Sequence, residues 1–151
     1  MKETGADATG IRLFSFGFKH GMAEADMVLD VRFLPNPYWV PELSGGTGRD
    51  PAVAAYVLAN PAADEFFSRL LPLLIWLIPR YLAEGKRAFT LAVGCTGGQH
   101  RSVAVVEKIA AELRQVGMSA AVVHRDLGEN GREAAVDGGR RPVAMQSTER
   151  T

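Results

Sequence analysis

A polar, glycine-bearing segment at residues 94–102 contains most of the side chains that could bind a ligand or take part in a reaction. It joins an apolar stretch to a segment with helical spacing, so its backbone N–H groups and a helix N-terminus can face one point. Such an arrangement binds anions, phosphate above all. Gly97 and Gly98 would let the backbone approach an anion closely. We therefore expect a phosphate-binding loop. Its side-chain donors are Thr96, Gln99 and Ser102, and His100 and Arg101 can add positive charge.

Cys95 and Arg101 give this segment the spacing Cys-x5-Arg, which resembles the phosphate loop of protein tyrosine phosphatases. In that chemistry a thiolate attacks phosphorus and the arginine holds the phosphoryl oxygens. A general acid is also required, and Asp30 and Asp126 are the candidates. Gly94 stands where that family usually has histidine. A Cys-dependent phosphatase and a passive pocket wall at Cys95 are both open alternatives at this point.

Further polar side chains follow other strand-like segments, and ligands of parallel sheets lie beyond the carboxyl ends of the strands. Asp30, Arg32 and Asn36 are candidates for the same site. Asp30 and Arg32 would share one face of a strand, either as site residues or as a structural ion pair. His124 is expected to be structural. Lys19 and His20 follow the first strand-like segment, and Arg125 follows the last.

Four segments have the composition of β-strands: residues 11–18, 26–34, 87–94 and 119–125. The third is apolar throughout, which indicates burial on both faces. Strand, loop, helix and strand from residue 87 to 125 predict a βαβ unit with a parallel pair. The link between the first two strands is short for a parallel crossover, so these two could be antiparallel or separated by a compact turn. The predicted class is α/β, with a small mixed or mostly parallel sheet, flanking helices and the phosphate-binding loop between a buried strand and a helix.

Helical spacing predicts three helices around this sheet. The first begins after Asp50 as the N-cap and ends near residue 60. The second covers residues 62–84, where Pro72 and Pro79 are expected to bend or split it, and the third covers residues 102–116. Residues 35–41 predict a stiff, non-helical loop, continued by a flexible stretch at 44–48. The core stripe predicted on the second helix is Phe66, Leu70, Leu73, Leu74, Leu77 and Tyr81.

One α/β domain is expected at residues 10–127. Residues 1–9 predict a flexible leader, and residues 128–151, which lack apolar periodicity, predict a disordered tail. The N-terminus has no apolar targeting region. The apolar run at residues 70–79 is short for a membrane span, which needs about 20 residues. A core helix explains this run, and no membrane contact is expected.

The composition of the 151-residue chain argues against several classes. Its 17 Lys and Arg balance its 17 Asp and Glu, which speaks against nucleic-acid binding through bulk charge. Cys95 is the single cysteine beside three histidines, so an intrachain disulfide is excluded and a metal site is not expected. No Walker A pattern occurs, so nucleoside-triphosphate hydrolysis has no support. No cofactor is expected.

Four motifs in the chain together resemble one known family. The strings SFGFKHG, DVRFLPNPYWVPEL, GCTGGQHRSV and HRDL, between about residues 14 and 127, are similar to the C-terminal domain of the RapZ family, also called the YvcJ-type nucleotide-binding family. Full-length relatives carry an N-terminal kinase-like half with a Walker A loop, which this sequence lacks. The resemblance therefore implies a stand-alone binding and adapter domain rather than a hydrolase.

The same resemblance implies a ligand and partners. In the best-known relative this domain senses glucosamine-6-phosphate, an amino-sugar phosphate, and it also binds a small regulatory RNA and helps present it to a ribonuclease. Asp30 would pair with the ammonium group, and Arg101 would hold the phosphate. The candidates for contact with RNA are Lys19, His20 and Arg125. RNA binding transfers less well, because RNA-binding relatives use a short basic C-terminal end, whereas residues 128–151 contain four Arg and four acidic residues. We expect a non-catalytic, cytoplasmic sensor that can self-associate. The family's pocket motif corresponds to Asp30, Arg32, Asn36, Cys95, Thr96, Gly97, Gly98, His100 and Arg101.

Overall fold

Four strands form one parallel sheet at the centre of the domain. The computed structural model describes residues 10–128. The strands are β1 (Ile11–Gly17), β2 (Met27–Asp30), β3 (Phe89–Cys95) and β4 (Ala121–His124), in the order β2-β3-β1-β4. Every neighbouring pair is parallel. The predicted α/β class is confirmed, and the sheet is wholly parallel rather than mixed.

The strand order corrects two expectations about pairing. β3 lies between β1 and β2, so these two strands run in the same direction without pairing to each other. The link at residues 18–26, which contains a 3-10 helix at Phe18–His20, can return without an α-helix, because β2 has four residues and spans only about 13 Å. Likewise β1 lies between β3 and β4, so the predicted βαβ unit does not form a direct pair.

β2 is shorter than the strand predicted at residues 26–34. Its pairing with β3 ends where Asp30 lies opposite Gly94. Beyond that point a turn forms, in which the amide of Leu34 donates to the carbonyl of Val31 at 3.1 Å. Val31 and Leu34 are buried while Phe33 is 55% exposed, so the alternation of a strand is broken. The chain therefore leaves the sheet close to the loop at residues 94–102, which was predicted to bind phosphate.

Short helices occupy a segment that the prolines predicted to be non-helical. A 3-10 helix covers Pro37–Trp39, and α1 covers Pro41–Ser44. Each begins with a proline at its first position, where the missing N–H would have no helical partner. Pro37 and Pro41 therefore each start a short helix, and the prolines do not exclude helix from this segment.

The three predicted longer helices are present as α2 (Pro51–Leu58), α3 (Pro61–Ala83) and α4 (Arg101–Gln115). Asp50 is the N-cap of α2, but its carboxylate accepts from the amide of Thr47 at 2.8 Å instead of from the helix. The expectation that prolines could split α3 is wrong, because the helix continues through Pro72 and Pro79. Both prolines are exposed, so the carbonyl groups that lose a helical donor can reach water.

The buried face of α3 differs in part from the predicted stripe. Leu73 is 43% exposed, whereas Phe67 and Ile78 are buried beside Leu70 and Leu74. Residues 70–79 are apolar on almost every side, so spacing alone does not define the face. By length and composition α3 is long and apolar enough to cross a membrane. Core helices of globular domains meet the same criterion, so it is weak evidence of a membrane span. Its buried side chains belong to the core cluster.

α4 connects the core to the end of the sheet where β3 stops. It packs on β1 and β3, and α2 and α3 pack against it. Its predicted buried residues are all confirmed: Val103, Val106, Ile109, Ala110 and Leu113. The N-terminus of α4 is thereby fixed beside the carboxyl end of β3. The leader predicted at residues 1–9 and the tail predicted beyond Gly128 lie outside the described residues.

Candidate functional site

The strand register gathers the candidate residues at one edge of the sheet. Gly17 lies opposite Cys95 across the β1–β3 pair, and Asp30 lies opposite Gly94 across the β2–β3 pair. His124 ends β4 opposite Ser15. All four strands therefore deliver their carboxyl ends, and the polar residues that follow them, to the same place.

A small pocket opens in the loop between β3 and α4. Two residues predicted for the site, Gly98 and Ser102, do not line this pocket. Gly98 packs on β1 in a left-handed conformation (φ +78°), and Ser102 is fully buried. Asn36 reaches the pocket from the chain beyond β2, where it caps the 3-10 helix by accepting from the Tyr38 amide at 3.1 Å. The residues that line the pocket are Asn36, Cys95, Thr96, Gly97, Gln99, His100 and Arg101.

Arg101 is the cation of this pocket, and it is only 6% exposed. Its Nη1 donates to the carbonyls of Arg32 at 2.9 Å and Leu34 at 3.4 Å, and its Nη2 lies 3.4 Å from Thr96 Oγ1. Its buried Nε has no hydrogen-bond partner among residues 10–128. Burial lowers the pKa of Arg101, yet a guanidinium stays protonated at neutral pH. A buried cation with an unused donor is an anion-binding feature.

Cys95 forms part of the wall and is bonded to the start of α4. Its Sγ lies 3.2 Å from Ser102 Oγ and accepts from the Ser102 amide at 3.3 Å. The thiol is nearly enclosed, with Cys95 2% exposed. A side chain at Gly94 would meet the rings of Phe16 and Phe18 at 2.6 Å. The position before the cysteine therefore has no space for the histidine of the phosphatase pattern.

Asp30 and Arg32 form a bidentate ion pair beside the pocket, and each side chain is about half exposed. Arg32 Nη2 lies 2.7 Å from Asp30 Oδ2, and Arg32 Nε lies 3.0 Å from Oδ1. The Arg32 guanidinium also lies over the Phe18 ring at 4.2 Å. Hydrogen bonding to Arg32 holds the pKa of Asp30 below its usual range. Asp30 therefore carries no proton at neutral pH, which argues against the general-acid role considered for it.

His100 closes the pocket from the side of α1. Its Nε2 lies 3.1 Å from the carbonyl of Ser44, and only 5% of the residue is exposed. Burial lowers the pKa of His100, so the ring is neutral at pH 7 and Nε2–H donates to that carbonyl. The expectation that His100 adds positive charge is therefore wrong, because a charged imidazole would be desolvated here.

The segment at residues 44–48, predicted to be flexible, packs against the loop. The amide of Gly48 donates to the carbonyl of Gln99 at 2.9 Å. A Cβ atom on Gly48 would lie 2.4 Å from the His100 carbonyl oxygen, so only glycine permits this approach. Sequence reasoning missed Ser44 and Gly48 as parts of the site. The glycines of residues 44–48 were a signal for this contact, because glycine permits a close approach of two backbones as well as flexibility.

The candidate residues for RNA contact lie at the same edge of the sheet. Lys19 and His20 lie in the 3-10 helix Phe18–His20 and are exposed. The Lys19 amide donates to the carbonyl of Thr96 at 3.1 Å. Arg125 follows β4 and donates to the carbonyls of Gly21 at 2.9 Å and Met22 at 3.2 Å. Lys19 and His20 therefore lie in the segment that follows β1, and Arg125 is hydrogen-bonded to that segment.

His124 has a structural position, as predicted. Only 3% exposed, it lies between Ser15 Oγ and Glu107 Oε2, each at 2.7 Å from a ring nitrogen. The hydrogen bond from His124 lowers the pKa of Glu107. These contacts join β1, β4 and α4 away from the pocket lining.

Fold and site together define a class: a small parallel α/β domain with a glycine-bearing loop and a buried arginine between a central strand and a helix. Within that class the identity is specific, because the RapZ C-terminal domain family matches residues 9–128. The chain belongs to this family, which confirms the resemblance drawn from its motifs.

Curated relatives agree with this assignment and bear the name "Nucleotide-binding protein". A relative from Nocardioides sp. (strain ATCC BAA-499 / JS614) is 54% identical over 119 residues, covering 78% of this chain and 40% of its own length. One from Limosilactobacillus reuteri (strain DSM 20016) is 50% identical over 118 residues, covering 78% of the chain and 41% of the relative. One from Streptomyces coelicolor is 55% identical over 117 residues, covering 77% and 39%. The chain thus spans about two fifths of these longer proteins.

Proposed function

We propose that this domain is a non-catalytic sensor that binds a phosphorylated metabolite, an amino-sugar phosphate such as glucosamine-6-phosphate. The observation that carries the proposal is Arg101: a buried guanidinium, with an unused Nε donor, in the wall of a pocket at the first turn of α4. A helix N-terminus and a buried cation both favour a phosphate group over a neutral ligand.

The neighbouring groups support binding better than phosphoryl transfer. Cys95 is enclosed and bonded to Ser102, and Asp30 is unprotonated and held by Arg32. A phosphatase would need an accessible thiolate and a proton donor for the leaving group. A binding site needs neither. The pocket is accordingly assigned to recognition, and a Cys-dependent phosphatase is the less favoured alternative.

Asp30 is the proposed partner of the ligand's ammonium group. Both carboxylate oxygens already accept from Arg32, so an ammonium group would have to share or replace those bonds. Because the pair is about half exposed, rearrangement of Arg32 toward the phosphate would release Asp30 at small cost. Preference for the amino sugar over glucose-6-phosphate would therefore depend on Asp30.

Calorimetry with glucosamine-6-phosphate, glucosamine and glucose-6-phosphate tests the proposal. Glucosamine without phosphate should not bind. Arg101→Lys keeps a positive charge but loses the guanidinium fork, and it should weaken phosphate binding about 10- to 100-fold, as for a lost hydrogen bond to a charged group. Arg69→Lys is a matched control, because Arg69 pairs with Glu65 on the exposed face of α3. Its affinity should equal that of the wild type.

Two results would contradict the proposal. One is the absence of heat with every sugar phosphate while the wild-type protein is folded. The other is equal binding by wild type and a folded Arg101→Lys variant.

In cells the proposed ligand is a cytoplasmic metabolite, and we accordingly propose a cytoplasmic site of action. An adapter role toward RNA is a second proposal, favoured by the cluster of Lys19, His20 and Arg125 at the edge that carries the pocket.

A further inference from the structure

We propose that Asp126 is a positioning residue of the anion loop: its carboxylate fixes the end of β1, and the loop is built directly on that end. The inference rests on the proposed function of the loop as an anion site. Asp126 follows β4 and does not line the pocket, so it acts through other groups rather than by touching the ligand.

The carboxylate of Asp126 holds the backbone of Gly17. Its Oδ2 accepts from the Gly17 amide at 2.8 Å. Gly17 in turn lies under the loop, since a Cβ atom there would be 2.3 Å from the Gly97 carbonyl carbon. No side chain separates the two backbones. Any displacement of Gly17 must therefore displace Gly97, which lines the pocket.

Asp126 also contacts the loop directly on its far side. Its carbonyl accepts from Gln99 Nε2 at 2.7 Å. A Cβ atom on Gly98 would lie 2.7 Å from the Gly17 amide nitrogen and 3.1 Å from Asp126 Cβ. The three successive residues Gly97, Gly98 and Gln99 thus all rest on Gly17 and Asp126. The loop conformation is determined by this support as much as by its own sequence.

A carboxylate near an anion site would repel the ligand if its charge were uncompensated. Here Arg125 Nη2 lies 2.8 Å from Asp126 Oδ2, and Arg125 Nε lies 3.1 Å from both oxygens. Arg125 neutralises the charge and at the same time holds the carbonyls of Gly21 and Met22. The role of Asp126 is therefore geometric, as a hydrogen-bond acceptor, rather than electrostatic.

Asp26 provides a matched control at the opposite end of the sheet. Its carboxylate also accepts from a strand amide, that of Thr90 at 2.9 Å, and pairs with a cation, Lys86, at 2.9 Å. The exposed fractions of the two side chains are alike, 16% for Asp26 and 15% for Asp126. Loss of either carboxylate should cost similar stability, but only Asp126 supports the loop.

The experiment compares Asp126→Ala, Asp126→Asn and Asp26→Ala with the wild type. The readouts are calorimetric affinity for glucosamine-6-phosphate, urea unfolding, and the amide NMR shifts of Gly97, Gly98 and Gln99 without ligand. We expect Asp126→Ala to displace the loop amide signals and weaken binding at least tenfold. Asp126→Asn keeps an acceptor for the Gly17 amide and should bind within about threefold of the wild type. Asp26→Ala should lose stability with unchanged loop signals and affinity.

Several outcomes overturn the inference. Wild-type loop signals and affinity in Asp126→Ala would do so, and so would an equal loss of affinity in Asp26→Ala, which would indicate general destabilisation. If Asp126→Ala does not fold, Asp126→Asn decides, because displaced loop signals in that variant contradict a geometric role. If the wild type binds no sugar phosphate, the proposed function fails, while the ligand-free loop signals still test the positioning role.

Discussion

At the scale of single residues, Arg101 links two parts of the chain that the sequence leaves far apart. Its guanidinium bonds to the carbonyls of Arg32 and Leu34, just beyond β2, while its backbone begins α4. The bend of the chain after Asp30 therefore forms around this cation. The carbonyls hold only Nη1, and the buried Nε has no hydrogen-bond partner among the described residues. Burial of the charge in this position is costly unless an anion or polar partner completes it.

His100 predicts how stability depends on pH. Burial lowers the pKa of His100 below its ordinary value of 6.5, so the unfolded chain takes up this proton at a higher pH than the folded chain. The contribution of neutral His100 to stability is complete above pH 6.5 and is lost as the pH falls through its lowered pKa. The free energy of unfolding in urea should therefore fall between pH 7 and pH 5.

The variant His100→Gln isolates this effect. Glutamine keeps an N–H donor toward the Ser44 carbonyl but does not titrate. Its loss of stability between pH 7 and pH 5 should be smaller than that of the wild type, with the difference measured against each protein's own value at pH 7. An equal loss in both proteins would show that His100 does not contribute to the acid sensitivity.

Residue types at the site could be predicted from the sequence, but their partners could not. The spacing of Cys95 and Arg101, and the glycines between them, indicate an anion loop because that chemistry is local. The contacts of His100 with Ser44 and of Gly17 with Asp126 join residues 56 and 109 positions apart. No local pattern encodes such contacts, and the neutral state of His100 follows from burial that only the folded chain provides.

At the scale of elements, α3 shows the limit of periodicity. The apolar run at residues 70–79 defines a helix but not which side faces the core, because almost every side is apolar. The sheet and α4 determine the choice by burying Leu70, Leu74 and Ile78. α4 has charged residues on its exposed side, such as Glu112 and Arg114, and its buried face was predicted correctly. A clear polar face is therefore what makes a helix orientation predictable.

Two adjacent leucines test the orientation of α3. Leu74 is fully buried, whereas Leu73 is 43% exposed. Leu74→Ala should lower the free energy of unfolding by about 2–5 kcal/mol, because it leaves a cavity in the core. Leu73→Ala removes the same atoms from a surface position and should cost less than about 1 kcal/mol. Urea unfolding of both variants measures the difference. Equal losses, or a larger loss at Leu73, would contradict the orientation of the helix.

At the scale of the whole molecule, the sheet order was the hardest feature to predict. The strands follow from composition, and the parallel direction of β3 and β4 follows from the helix between them, whereas the direction of β1 relative to β2 was left open by the sequence. The position of β1 between β3 and β4 follows from neither, because strand order depends on long-range pairing that no segment carries. The consequence for function is direct. Only this order places Gly17 beside Cys95 and brings Asp126 beneath the loop.

The balance of charge over the molecule sets an expectation for RNA. A chain with 17 Lys and Arg against 17 Asp and Glu has no bulk attraction for a polyanion, so any binding must come from a local cluster. The candidates are Lys19, His20 and Arg125, at the edge that carries the pocket. With two or three phosphate contacts, each adding about 0.7–0.9 to the slope, log K should fall with log salt at a slope of about −1.4 to −2.7.

Gel shifts with a structured RNA, at salt concentrations from about 50 to 200 mM, measure this slope. Lys19→Ala should reduce its magnitude by about 0.7–0.9. Lys86→Ala is the control, because Lys86 pairs with Asp26 at the opposite end of the sheet, and it should leave the slope unchanged. Absence of binding at the lowest salt would contradict the adapter role. A slope that Lys19→Ala leaves unaltered would exclude this edge as the RNA-binding surface, since a true phosphate contact must release its counterion.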